Sequence, residues 1–237
     1  MVNIKIAGIS IQLDNRYPDL EEFCRGYETE EPAQMFLQVT QEEIEAERNC
    51  QIYEFEDGYL EMVCIYRKMA LQMLQHNVFI LHASVIELDG EGYAFLAPSG
   101  TGKTTQTRLW MEHFGQRARI INGDKPMIRV ENRDGQWRFI AYGTPWCGKE
   151  GFNCNDSVAL KALYILERAE RPQCIPAPQE YAIDHIFRQL LLPEDMTQMD
   201  RLLEMIDHLI ESVPCYVLRC NMEEESVHEA YNAANCR

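Results

Sequence analysis

The chain has 237 residues, 46% hydrophobic and 25% charged, with 22 Lys and Arg against 38 Asp and Glu for a formal charge of −16. That balance fits a globular chain and excludes disordered, collagenous and coiled-coil classes; its acidity argues against broad contact with nucleic acid or anionic membrane, and leaves room for a local basic pocket. Nine cysteines, an odd number with no Cys-x-x-Cys pair, argue for free thiols and a cytoplasmic location, and no apolar run reaches the length of a signal peptide or membrane span.

Val2, Ile4 and Ile6, then Ile9, Ile11 and Leu13, alternate and predict one or two strands. Residues 14–34 are polar, carry two prolines and read as a loop with a short helix. Residues 36–39 read as a strand, and Thr40 with Glu43 forms a capping-box pattern that opens a helix. Residues 52–56 and 59–65 flank Asp57-Gly58 and predict a hairpin, followed by a helix over 67–76. Residues 1–77 are therefore expected to form a small β-rich extension, and residues 78–237 the main domain. There, two apolar runs, 79–88 and 92–97, are joined by Asp89-Gly90-Glu91-Gly92, a tight antiparallel turn. A helix over 103–114, a strand over 119–122 and a hairpin of 127–130 with 137–141 come next. A glycine- and proline-containing loop spans 143–155, before a buried strand over 157–166. Amphipathic helices over 178–192 and 196–211, a strand over 215–220 and a helix over 223–234 complete an α/β pattern.

The chemistry concentrates at one place. Residues 97–104 read Ala-Pro-Ser-Gly-Thr-Gly-Lys-Thr, a P-loop with Ala97 at the usual first glycine. Gly100 and Gly102 permit a backbone curl whose N–H groups bind phosphate, at the positive end of the helix that follows. Ala97, Pro98, Ser99, Gly100, Thr101, Gly102, Lys103, Thr104 and Thr105 are the candidate nucleotide-binding residues, with Lys103 reaching the terminal phosphates and Thr104 a ligand for Mg²⁺. Asp124, some twenty residues on at a strand end, is a candidate for holding Mg²⁺ or receiving the attacking hydroxyl's proton. His82 lies on the strand paired with the one entering the loop, within reach of the same place. Lys125 is read equally as a turn residue or a phosphate contact. The 143–155 loop, with Trp146 and Lys149, fits a mobile lid. Asp184, His185 and Arg188 are undecided between a charge-neutralising role and a solvated helix face.

The stretches LHASVIELDGEGYAFLAPSGTGKTTQTRLW, IINGDKP and YGTPWCGKEGFN, within residues 78–192, resemble the HPr kinase and phosphoenolpyruvate carboxykinase superfamily, and more narrowly its HPr-kinase-like serine kinases. The resemblance implies a mixed twisted sheet flanked by helices and Mg²⁺-dependent transfer of phosphate from ATP, or another nucleotide, to a serine-type hydroxyl of a peptide, protein or small molecule. It implies phosphate binding by Ala97 to Thr104, metal binding by Thr104, and catalytic roles for Lys103, His82 and Asp124. It also implies that a homo-oligomer is compatible with the fold. The family's paired aspartates are not both present: Gly123 stands where one is expected, so Asp124 is either base or metal ligand. The competing reading is a nucleotide-binding regulatory module without catalysis.

Overall fold

The computed structural model describes residues 1–235, and Cys236 lies outside them. All eight cysteines among the described residues are free thiols. The N-terminal layer is a three-stranded sheet in the order β1 (Val2–Ile6), β2 (Ile9–Asp14), β3 (Met35–Gln38), with the first pair antiparallel and β3 parallel to β2. The alternating residues Ile4, Ile6, Ile11 and Leu13 are buried in one core with Leu20, Ile44, Leu60 and Met69. Those partners come from α1 (Asp19–Phe23), α2 (Gln41–Cys50) and α3 (Asp57–Met73). The expected capping box is present at α2: Thr40 accepts from the Glu43 amide, and Glu43 accepts from the Thr40 amide.

The hairpin predicted over 52–65 does not form; α3 occupies most of it. Leu60, Cys64, Ile65, Met69 and Met73 are the buried positions, a helical period that short-range alternation imitates over 59–65. Asp57-Gly58 opens the helix instead of turning a hairpin. Glycine is needed there for approach, since a Cβ on Gly58 would lie 2.4 Å from Asp19 Oδ2. This part of the chain therefore carries three helices beside its small sheet, more helix than a β-rich extension implies. Its core runs on into Val78, Ile80 and Met127 of the larger layer.

The larger sheet has nine strands, seven of them in the order β4-β8-β9-β10-β6-β5-β7, with β12 beside β10 and β11 beside β12. They are β4 (Val78–Ile80), β5 (Ala83–Leu88), β6 (Glu91–Leu96), β7 (Ala118–Asn122), β8 (Met127–Arg133), β9 (Gln136–Tyr142), β10 (Ser157–Arg168), β11 (Gln173–Pro176) and β12 (Cys215–Cys220). β10 curls the sheet. Its start pairs antiparallel with β9, and its middle pairs parallel with β6 after a register shift between Leu160 and Ala162. Its end pairs parallel with β12.

β6 is buried on both faces. Tyr93 and Phe95 pack with Trp110 of α4 (Lys103–Phe114) and Val227 of α7 (Glu225–Asn235). Ala94 and Leu96 pack with Ile186 of α5 (Gln179–Phe187) and Ile206 of α6 (Met196–Ser212). Two-sided burial explains the unbroken apolar run of β6, and it fixes the strand end from which the Ala97–Thr104 segment departs. The run over 79–88 is two strands rather than one, because Leu81 and His82 leave the ladder and pair with the chain after α5: the His82 amide donates to the Gln189 carbonyl at 2.8 Å. Residues 188–192, expected to continue a helix, form that pairing segment. β11 was not expected.

Candidate functional site

The segment between β6 and α4 is a turn held by two glycines. Gly100 has φ +79° and Gly102 φ +134°, conformations that L side chains rarely adopt. α4 has no side-chain cap at its start, so its first amides have no partner within the helix and face the turn's open side with the positive end of the helix dipole. Arg168, from the end of β10, donates to the Gly100 and Thr101 carbonyls and ties the turn to the sheet. A cavity of about 490 Å³ opens over it, lined by Ser99, Gly100, Gly102, Lys103, Thr104, Thr105 and Asp124 among others. Ala97, Pro98 and Thr101 shape the turn without lining that cavity: the Pro98 carbonyl accepts from the Thr101 amide at 3.3 Å, and the Ala97 carbonyl accepts from Lys103 Nζ at 2.7 Å.

His82, Lys103 and Asp124, each 21 positions from the next in sequence, come together. His82 Nε2 lies 3.0 Å from Asp124 Oδ1 and 3.1 Å from Lys103 Nζ. One ring nitrogen carries either a proton or a lone pair, so it serves one of these partners at a time. With a proton, Nε2 donates to Asp124; with a lone pair, it accepts from Lys103. An anion over the turn that draws Lys103 away favours the first state. Burial pushes the Lys103 ammonium down to about 8, with the Asp124 charge pulling the other way. Burial alone would raise the Asp124 carboxyl, but the hydrogen bond from His82 and the charge of Lys125, 3.0 Å away, together hold it at about 2. It is ionised at neutral pH.

Asn122 positions the carboxylate, and sequence reasoning passed it over as a strand end. It is fully buried, its Oδ1 accepts from the amides of Asp124 and Lys125, and its Nδ2 donates to the Thr144 carbonyl at 2.9 Å. The signal was the Asn-x-Asp spacing of an Asx turn. Gly123 has no room for an acid: a Cβ there would sit 2.9 Å from the Cys147 carbonyl and 3.2 Å from Phe152 Cβ. Asp124 thus stands without a carboxylate at the preceding position. Thr104 and Asp124 both line the cavity, and a hydroxyl with an ionised carboxylate suits Mg²⁺, which takes one or two carboxylates, phosphate oxygens and water. Elsewhere, His113 of α4, Glu224 just before α7 and His228 of α7 bring three potential ligand atoms within 4.8 Å of one another.

The expected mobile lid is anchored at its start. Thr144 is buried and donates to the Lys125 carbonyl at 2.8 Å, and Trp146 Nε1 donates to the Met62 carbonyl of α3 at 3.2 Å. The exposed stretch begins only at Gly148. There Glu150 pairs with Arg108, while Lys149 has no acidic partner among the described residues. A second cavity, of about 660 Å³, also borders Asp124. Both cavities are lined by Asp124, Cys147, Gly148 and Lys149, and His82 and Lys125 line the second. Arg188 also lines it, paired with Asp184 at 3.0 Å; Asp184 and His185 line neither cavity. Among the described residues no helix is long and apolar enough to cross a membrane.

Comparisons with known proteins add the following. A family model described as SynChlorMet cassette protein ScmC matches residues 49–229. No curated protein matches the chain. Among solved structures, the HPr(Ser) kinase/phosphatase from Coxiella burnetii is similar at 11% identity, covering 66% of this chain and 96% of that one with a TM-score of 0.33. A likeness at that TM-score carries no weight for fold or function.

Proposed function

The chain belongs to the SynChlorMet cassette protein ScmC family, and we propose that it is a nucleotide-dependent kinase that transfers a phosphoryl group to a serine-type hydroxyl. The observation that carries this reading is the meeting of two cavities at one ionised carboxylate, Asp124, with Lys103 and the unpaired α4 amides on one side. A donor polyphosphate fits the first cavity: the turn's amides and Lys103 bind its oxygens, and Ser99, Thr104 and Thr105 add hydroxyls. A bound Mg²⁺, held by Thr104 with Asp124 nearby, supplies charge neutralisation at the phosphates. The acceptor hydroxyl enters from the second cavity and donates to Asp124.

A carboxylate held near 2 is a weak base for a resting alcohol. Phosphoryl transfer needs little more, because its loose transition state depends mainly on positioning and charge stabilisation, and the hydroxyl proton leaves late. His82 keeps Asp124 in place, and Lys103 neutralises charge on the transferring group. In balance, the acceptor oxygen forms the new P–O bond, the nucleotide leaves with the broken one, and the hydroxyl proton passes to Asp124.

The crowding at Gly123, which denies the site a second acid, favours the alternative of a nucleotide-binding module without catalysis. One experiment separates the two: labelled ATP with Mg²⁺ and a library of serine-containing acceptors. Label in an acceptor, absent with Asp124→Asn, supports the kinase; nucleotide binding without transfer to any acceptor supports the module.

A further inference from the structure

We infer that the second cavity selects a peptide whose hydroxyl residue stands beside an aromatic or large aliphatic side chain. The inference rests on the kinase reading for where the hydroxyl goes, and on the cavity itself for what accompanies it. The two cavities differ in chemistry although they share Asp124. The first is lined by glycines, hydroxyls and Lys103. The second, larger by volume, has an aromatic wall of Phe23, Tyr59, Tyr66 and Trp146 beside basic side chains that include Arg67 and Lys125. Phe23 comes from α1 and the two tyrosines from α3, so the N-terminal part of the chain, which holds no reacting group, builds the wall of the acceptor side.

This wall is formed in advance. Trp146 is fixed by its bond to the Met62 carbonyl, meets the Phe23 ring edge-on at 5.3 Å and lies 5.9 Å from the Tyr66 ring. Fixed aromatic faces give apolar contact with little ordering cost, which favours a flat or bulky apolar group. The Tyr66 phenol is held well above its usual range, by burial first and by the Asp124 charge second, so it stays a neutral hydroxyl beside the carboxylate.

Gln189 is the second, independent observation. It lines this cavity, is only 7% exposed, and its Oε1 is buried without a hydrogen-bond partner among the described residues. Its carbonyl holds the His82 amide, which fixes it next to the reacting groups. A buried amide oxygen lacking a partner is unusual in a folded protein, and a peptide N–H can satisfy it while the hydroxyl donates to Asp124, whereas a simple alcohol has only that one donor. The way out of the cavity is apolar as well. Tyr59 stacks on Phe55 at 4.7 Å, and Ile52 and Tyr53, directly after the lining residue Gln51, are exposed. Flanking residues of an extended peptide can lie along that strip.

The test uses the full chain and four probes: acetyl-Ala-Ser-Phe-Ala-amide, acetyl-Ala-Phe-Ser-Ala-amide, acetyl-Ala-Ala-Ser-Ala-amide and 3-phenylpropanol. Binding is measured by calorimetry for the wild type, for Val63→Trp, which fills the cavity from α3, and for Gln189→Leu. Mg²⁺-ATP is titrated separately into each. At least one phenylalanine peptide should bind roughly tenfold or more tighter than the alanine peptide and the alcohol. Val63→Trp should remove that binding. Gln189→Leu should weaken the peptides by roughly tenfold and leave the alcohol unchanged. Both variants should keep Mg²⁺-ATP binding, which reports an intact fold. Equal binding of the alanine and phenylalanine peptides, equal binding of the alcohol, or peptide binding unaffected by Val63→Trp would each overturn the inference. Phenylalanine-selective binding in a protein that never takes Mg²⁺-ATP would uphold the pocket and overturn the kinase reading; Mg²⁺-ATP binding without peptide selectivity would overturn the pocket and keep the nucleotide site.

Discussion

The two cavities that meet at Asp124 are assembled in opposite ways. The first is built from one short run, residues 99–105, closed by groups that happen to fold over it. The second is gathered from α1, α3, the loop at residues 145–149 and the segment after α5. The first uses backbone amides and a glycine turn, which nearly dictate their own geometry and point to a polyanion. The second uses aromatic side chains, whose position depends on packing across the whole N-terminal layer. On the proposed kinase reading, donor chemistry is encoded locally and acceptor choice globally, so changes to each should be separable.

The sharpest break should come at the shared edge. Lys103→Ala should lower transfer by roughly 10²–10³-fold, as loss of one preorganised charge donor does, and raise the apparent Kd for Mg²⁺-ATP. Asp124→Asn should lower kcat by roughly 10²-fold or more and spare Mg²⁺-ATP binding much better than Lys103→Ala does. A variant that lost binding and turnover equally would place Asp124 on the metal rather than at the hydroxyl.

Stability offers a second contrast. The Lys103 ammonium falls from 10.5 to about 8 on folding, so the folded state holds its proton less well than the unfolded one. That works against folding below pH 8, and stability recovers as pH rises from about 8 to 10.5. Lys103→Met should then stabilise the protein by about 1–3 kcal/mol at pH 7, seen as a higher Tm, while weakening Mg²⁺-ATP binding. Gly123→Asp should do the opposite, costing about 1–3 kcal/mol through overpacking against Cys147 and Phe152 without restoring a second catalytic acid.

The smallest effect is a slope. A bound polyphosphate holds Lys103 protonated, so Mg²⁺-ATP affinity should be flat below pH 8 and fall by about tenfold per unit above it. Calorimetry across pH 7–10 measures this. Lys103→Met should lack the slope, whereas Val63→Trp, on the acceptor side, should keep it.

Sequence legibility follows the same division. Lys103, Thr104 and the two glycines stood out because their spacing is itself a motif, and the helix over 103–114 and the hairpin feeding the turn formed where expected. Asp124 was legible at a strand end and His82 as a residue of the run paired with the strand entering the turn; the chain leaves the ladder at His82, and the structure puts the two side chains 3.0 Å apart. Asn122 was not, because its work is in hydrogen bonds to residues that follow it and to Thr144. Trp146 was visible as a tryptophan in a loop, but its anchor, the Met62 carbonyl, lies in a helix misread as a hairpin. That misreading hid the acceptor wall, since Tyr59, Val63 and Tyr66 share one face only when their spacing is helical. Short apolar runs cannot distinguish the two periods without the partners that bury them.

The most direct measurement is a calorimetric titration of Mg²⁺-ATP into the wild-type chain and into Lys103→Ala at pH 7. One nucleotide per chain with clear heat for the wild type, and a Kd weaker by at least roughly 10²-fold for the variant, is the predicted result. No heat with the wild type, or the same Kd for both, would contradict a polyphosphate bound over the Gly100–Gly102 turn.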